Sequence, residues 1–274
     1  RGNDHIFEYN YLHNLARNSD DTSAWYIGRD PSDRGNVVRY NYFENVGRPD
    51  RMVMGVYLDD GSCGVEIYGN VFYNTATRGS VFSNSGHDIK VINNIFINTL
   101  GPAVELNSIF CTMSKSHLAY FFGLPLPTGA NESETTRKSG MFVPSSKGIF
   151  ERRLLELIDI RRPPYSTRYP ELVDFMNYLD DGITRVGMLP RNNLMARNVV
   201  YRCPEALKLH GLYAKMDERN NYITDVDPGF VDAENRDFQL KKNSIVYQKI
   251  NGFEPIPFDS IGRRLAGDKE RDRR

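Results

Sequence analysis

The sequence has no apolar run near the roughly 18 residues that a membrane-spanning helix needs, so no membrane span is expected. It has no excess of either charge, with 35 Lys and Arg against 35 Asp and Glu. That balance offers nothing to draw the chain to nucleic acid or to anionic lipid. Cysteine is scarce: Cys63, Cys111 and Cys203 are the three among 274 residues. Three cysteines build no disulfide framework and their spacing fits no zinc motif, so free thiols, no metal and no cofactor are expected. No secretory leader is expected in this stretch, which opens on Arg1-Gly2-Asn3-Asp4 already inside patterned sequence. What is left is ordinary globular composition, 40% hydrophobic and 26% charged.

The informative feature is a repeat. Four segments share one pattern: Phe7–Asn14, Val38–Asn45, Ile67–Asn74 and Val91–Asn98. Each carries an Asn at 10, 41, 70 or 94 and a second Asn four residues later. A fifth copy at Met195–Tyr201 keeps the first Asn, as Asn198, and replaces the second by Arg202; a sixth around Asn221 is weak. Phe7, Val38, Ile67 and Val91 form one apolar row, and Leu12, Phe43, Phe72 and Phe96 another. Between copies lies a second short strand with period-two alternation, at Ala24–Ile27, Gly55–Leu58, Ser80–Ser83, Ala103–Leu106 and Ala206–Leu209. A period of 24 to 31 residues with short strands and Asn-marked turns suits a parallel coil whose turns stack and share hydrogen bonds. The expected class is therefore all-β, a right-handed parallel β-helix, with strands 37–43, 66–72 and 90–96 in one sheet and Asn41, Asn70 and Asn94 stacked in a structural column.

The period breaks between Asn98 and Asn198, a gap of 100 residues. Coils are expected over 1–108, a loop-and-helix insertion or lid over 109–190, and further coil with a closing segment over 191–262. The charged stretch 263–274 reads as a disordered tail. Within the insertion, Ile149–Ile160 reads as an amphipathic helix with Leu154, Leu155, Leu157 and Ile158 on one face, ended by Pro163-Pro164. A second helix is expected over Tyr169–Leu179.

These residues carry a resemblance. Asp21-Thr22-Ser23-Ala24-Trp25-Tyr26-Ile27-Gly28-Arg29, Arg34-Gly35-Asn36, Val56-Tyr57-Leu58-Asp59-Asp60-Gly61 and Asn93-Asn94-Ile95-Phe96 resemble right-handed β-helix proteins of bacterial polysaccharide degradation. The chain is most similar to glycoside hydrolase family 141 and its relatives. Arg161–Pro170, Asp227–Asp232 and Phe253–Phe258 fit the same group, so the resemblance spans roughly residues 1 to 262. It departs at the start, where such proteins carry earlier coils, which implies a fragment of a longer protein or an unusually short parent. It further implies an extracellular or periplasmic enzyme acting on a plant or microbial polysaccharide or oligosaccharide.

Chemistry on a coil must come from its outward faces. Aligning the second strands puts Tyr26, Tyr57, Phe82, Glu105 and Lys208 in one outward row, and Gly28, Asp59, Asn84, Asn107 and His210 in the next. Asp59 and Asp60 end a strand there, and glycoside hydrolysis needs two carboxyl groups. Neighbours on a strand point to opposite sides, so the two would pair with each other only if the strand has already turned. Asp59-Asp60-Gly61 is equally a turn sequence. Asp21 lies in the matching motif but about 20 Å along the strand from the level of Asp59; Asp30 lies closer to the row of Asp60. Arg29 would hold a sugar group or pair with Asp60. Tyr57 and Tyr26 would stack on a sugar ring or cover the strand, and His87 is the alternative acid–base group. A polysaccharide lyase of the same fold and a non-catalytic carbohydrate-binding module are the competing readings.

Overall fold

The structure is a computed structural model that describes residues 2–124 and 146–262. The expected tail at 263–274 and most of the turn-rich stretch after Leu124 lie outside the described residues. The chain winds as a right-handed parallel β-helix of three sheets. The first contains Ile6–Glu8, Val37–Arg39, Glu66–Tyr68, Lys90–Ile92, Leu194–Ala196 and Asp217–Arg219, in that spatial order. The second contains Tyr11–His13, Tyr42–Val46, Val71–Thr75, Ile95–Ile97, Val199–Tyr201 and Tyr222–Thr224. The third contains Thr22–Gly28, Val53–Asp59, Val81–Asn84, Val104–Asn107 and Leu207–His210. Every pairing within these three sheets is parallel.

Each strand expected as one piece over 37–43, 66–72 or 90–96 is two strands in two sheets, divided by a corner. The residue before each column Asn makes that corner. Tyr9, Tyr40, Gly69, Asn93, Arg197 and Asn220 all adopt left-handed backbone, with φ between 52° and 63°. One such residue reverses the local chain direction without a loop. The Asn that follows turns inward and forms the column. Asn10 donates through Nδ2 to Asn41 Oδ1 at 2.9 Å, and Asn41, Asn70, Asn94 and Asn198 each donate to the next Asn Oδ1 at 3.0 Å, ending on Asn221. Each Oδ1 also accepts the preceding coil's backbone N–H at the same level. The ladder therefore satisfies backbone groups that a sharp corner removes from the sheet pattern. The weak sixth copy belongs to it.

Inside the coil the apolar rows stack in register. Phe43 and Phe72 lie ring over ring at 4.8 Å, and Phe72 and Phe96 at 5.0 Å. All three have no solvent exposure, and burial of one such side chain is worth about 1.5–3 kcal/mol before stacking is counted. The C-terminal antiparallel hairpin, Phe230–Asp232 with Asp237–Leu240, lays Phe230 and Phe238 on the outward side of the second sheet, over Val71, Ile95, Ile97, Val199 and Tyr201. The closing segment then runs back across the coils. The backbone N–H of Glu254 meets Asn93, the ring of Phe258 meets Tyr42, and the N–H of Gly262 donates to the Tyr9 carbonyl at 2.9 Å.

The 109–190 insertion carries its own core, in which Phe110, Phe121, Phe122, Phe150, Leu154, Leu172 and Phe175 pack around Cys63 from the coil. Its helices differ from those expected. Ile149–Glu151 opens a helical turn that widens to π geometry over Arg152–Leu157, so Leu154 is buried while Leu157 is 73% exposed and leaves the expected apolar face. The helix expected over Tyr169–Leu179 is a turn of α-helix at Tyr165–Arg168 and a 3-10 turn at Pro170–Leu172. A further helix, Lys115–Phe122, is capped by Ser114, whose hydroxyl accepts the His117 N–H at 3.4 Å. Two turns are too short for a periodic signal in the sequence.

Candidate active site

Asp59 is the last residue of its strand and Asp60 the first beyond it. Asp60 takes left-handed backbone, φ 39°, and Gly61 follows at φ 77°. The strand has therefore turned at Asp60, which returns its carboxylate to the side that Asp59 already faces. Asn84, the outward residue one coil on, donates through Nδ2 to Asp59 Oδ1 at 3.0 Å and to Asp60 Oδ1 at 2.9 Å. Two oxygens on one amide nitrogen lie no more than about 6 Å apart. From the preceding coil Tyr26 donates its hydroxyl to Asp59 Oδ2 at 2.9 Å, and Arg29 donates through Nε to Asp60 Oδ2 at 2.9 Å. Arg29 Nη2 reaches Asp59 Oδ2 at 4.0 Å. Both aspartates are buried, 6% and 5% exposed, while Tyr26 is 52% exposed, so the pair has a solvent-facing rim.

Burial raises the pKa of Asp60, the charge of Asp59 raises it further and Arg29 opposes, leaving it at about 6. Burial and the same Asp59 charge push the hydroxyls of Tyr26 and Tyr57 well above the phenol range, so both stay protonated donors. Tyr57 donates to Asp21 Oδ1 at 3.4 Å. The Tyr57 hydroxyl is acted on by the charges of both Asp59 and Asp21. Asp21 thus stands nearer the pair than a count along the strand implies.

Asp30 and His87, also expected at the site, are held by other partners. Asp30 is 2% exposed, accepts from Ser32 N at 3.1 Å and Oγ at 2.5 Å, and pairs with Arg153 of the insertion at 3.0 Å. It ties the insertion to the coil. His87 has no exposure; its Nδ1 meets Asp88 Oδ2 at 2.6 Å and its ring packs on Phe175. The outward row is itself mostly covered. Met54, Tyr57 and Phe82 pack on one another, Arg78 lies 4.9 Å over the Phe82 ring, and the same Arg78 binds the fully buried carboxylate of Glu105 at 2.5 Å. His210 Nε2 reaches that carboxylate at 3.1 Å. The bridging role of Asn84 was absent from the sequence expectation, although its place one coil after Asp59 in the outward row was the available signal.

Fold and site define a class: a parallel β-helix with an amide-bridged carboxylate pair on one flank, bordered by an inserted helical layer. No protein-family model, no curated protein and no solved structure matches the chain. Among the described residues no helix is long and apolar enough to cross a membrane, and no group of three or more His, Cys, Asp and Glu side chains is arranged to hold a metal ion.

Proposed function

We propose that the chain cleaves a glycosidic bond of a plant or microbial polysaccharide by hydrolysis, with Asp60 as proton donor and Asp59 as its carboxylate partner. The observation that carries this reading is the shared Asn84 amide together with the raised pKa of Asp60. A pKa of about 6 keeps a proton available at mildly acidic pH, which a leaving sugar oxygen needs. Asp59, oriented by Tyr26 and Asn84, is the partner that attacks or activates. An oxygen separation within about 6 Å favours the closely spaced pairs of retaining enzymes, about 5–5.5 Å, over the 6.5–9.5 Å that leave room for water. Arg29 and the exposed Tyr26 border the pair and would contact sugar hydroxyls and a ring face. The resemblance to glycoside hydrolase family 141 supports the substrate class and an extracellular or periplasmic setting.

The test is turnover of a polysaccharide panel by the full chain and by Asp59→Asn and Asp60→Asn variants of native fold. Each variant is expected to lose at least about 10²-fold in rate, the lower end of what acid–base help supplies. Full activity in both would overturn the assignment. Release of unsaturated sugar ends in place of hydrolysed ones would make the chain a lyase, and binding without turnover a carbohydrate-binding module.

A further inference from the structure

One reactive group in the structure has no part in the pair's chemistry. Cys63 sits three residues past Asp60, in the corner that leads from the third sheet to the first, with no solvent exposure. Its Sγ lies 3.1 Å from Nη1 of Arg34, a guanidinium that is itself fully buried. Nη2 of Arg34 binds Asp88 Oδ2 at 2.8 Å and Glu171 Oε1 at 2.7 Å. Asp88 in turn holds Nδ1 of His87 at 2.6 Å. The second ring nitrogen of His87, Nε2, has no hydrogen-bond partner of ordinary geometry among the described residues, and the Cys63 sulfur is the ring's leading charge partner. Nucleophile, proton-carrying ring and orienting carboxylate thus form one chain of contacts, the arrangement that activates a thiol.

The charges follow the geometry. Burial alone would raise the Cys63 pKa, yet the charges of His87 and Arg34 outweigh it and hold the thiol below its ordinary value. Burial alone would lower that of His87, and the sulfur and Asp88 lift it to about 9. The other two cysteines go the opposite way: burial pushes Cys111 up to about 11 and raises Cys203. A cleft of about 480 Å³ between coil and insertion is lined by Arg34, Gly64, Asp88, Lys90 and Glu171. Glu171, with 41% of its side chain exposed, is the outer partner of Arg34. A molecule the size of water that enters this cleft stands one guanidinium away from the sulfur.

We propose that Cys63 is a modification site for small peroxides, with Arg34 as counter-charge and His87 as proton source. The sulfur lone pair attacks one oxygen of hydrogen peroxide; an S–O bond forms and the O–O bond breaks. The departing hydroxide takes the proton from His87 Nε2 and leaves as water. The sulfur is oxidised to a sulfenic acid and the peroxide is reduced. The product removes a negative charge from the sulfur and a positive one from His87 at the seam where Phe175 of the insertion packs against that ring.

The experiment treats the full chain with hydrogen peroxide in the presence of a sulfenic-acid trap and reads each cysteine by peptide mass spectrometry. The charged groups facing the sulfur and its partners are Arg34, His87, Asp88, Glu171 and Arg191, so the pH range is kept below the His87 value. Between about pH 6 and 8 the Cys63 rate is expected to climb less steeply with pH than that of Cys111, which gains about tenfold per pH unit as an ordinary thiol does. The Cys63 rate should rise in proportion to peroxide. His87→Gln should slow it at least about tenfold and restore the steep pH dependence, while Glu171→Gln, on the outer side, should quicken it. Labelling of Cys111 with Cys63 untouched would overturn the proposal. So would a Cys63 rate independent of peroxide, which marks reaction only on unfolding. Should His87→Gln fail to fold, the peroxide order and pH profile of the unaltered chain decide alone.

Discussion

Replacing Asn70 by Ala removes one rung of the asparagine column, and its cost follows from the four hydrogen bonds that the amide makes. The Asn70 Oδ1 accepts the Asn41 backbone N–H at 3.0 Å and Asn41 Nδ2 at 3.0 Å; its Nδ2 donates to the Val38 carbonyl at 2.8 Å and to Asn94 Oδ1 at 3.0 Å. All four bonds lie at zero exposure for Asn41, Asn70 and Asn94. At about 1 kcal/mol net for each bond the loss is about 4 kcal/mol, and the unpaired Asn41 N–H sets a floor near 1 kcal/mol. The same change at Asn10, on the edge coil, removes only donors, to Glu8 O and Asn41 Oδ1. The column oxygen of Asn41 still receives the Asn10 backbone N–H, so about 2 kcal/mol at most is expected. Asn70→Asp separates bonding from volume: it fills the space but turns an acceptor toward the Val38 carbonyl and Asn94 Oδ1, and should cost at least as much as Ala. Urea unfolding of the three variants measures this. Equal costs for Asn70→Ala and Asn10→Ala would refute the claim that the column carries the corners.

Three more substitutions probe the pair and the core. Asp60 has a folded pKa of about 6 against 3.8, so its contribution to stability is complete below about pH 4 and is lost as pH rises through 6. Asp60→Asn should therefore match the parent near pH 4 and exceed it by up to about 3 kcal/mol at pH 8, measured by melting across pH; a variant less stable at pH 8 than at pH 4, relative to the parent, would contradict the shift. Gly61→Ala places a Cβ 2.9 Å from the Phe110 ring at φ 77° and should cost about 1–2 kcal/mol, with activity falling as Asp60 is displaced. Phe72→Ala opens a hole between the Phe43 and Phe96 rings and should cost about 3–5 kcal/mol; under 1 kcal/mol would mean that the aromatic row is not a packed core.

The coil was legible because its period is carried by residues that only one arrangement satisfies. Asn at 10, 41, 70, 94, 198 and 221 must meet Asn above and below, and a solenoid alone provides that. The corner inside each copy was equally present, in a form that alternation hides. Val38 and Phe43 are five residues apart, so an unbroken strand would aim them at opposite faces, yet both have no exposure. The odd spacing required a bend, and the left-handed Tyr40 supplies it. The insertion was legible as an excursion but not in detail, because its short turns are fixed by packing of Phe110, Phe150 and Phe175 on one another and on Cys63. Outward residues were placed in the correct rows by register. What register cannot state is that Tyr57, Phe82 and Glu105 bury one another, since that depends on Arg78 and Tyr26 reaching across coils.

The two readings of Asp59-Asp60-Gly61, a turn and a carboxylate pair, do not compete once the backbone is known. The left-handed φ of 39° that makes Asp60 a turn residue is what brings its carboxylate beside that of Asp59 and under the Asn84 amide. An extended residue at 60 would point away from Asp59, and the two carboxyls would lack a common donor. Asn adopts left-handed backbone about as readily as Asp does, so Asp60→Asn retains the turn and keeps one oxygen to accept from Asn84 or from Arg29, which bond to different oxygens of Asp60. It removes the proton, the charge and one acceptor oxygen, and leaves the backbone turn in place. A loss of turnover in a variant that folds as well as, or better than, the parent at neutral pH would therefore separate chemistry from architecture at this residue. A loss of turnover that tracks a loss of fold would place Asp60 with the corner residues of the other coils, as a bend whose carboxylate has no reaction to serve.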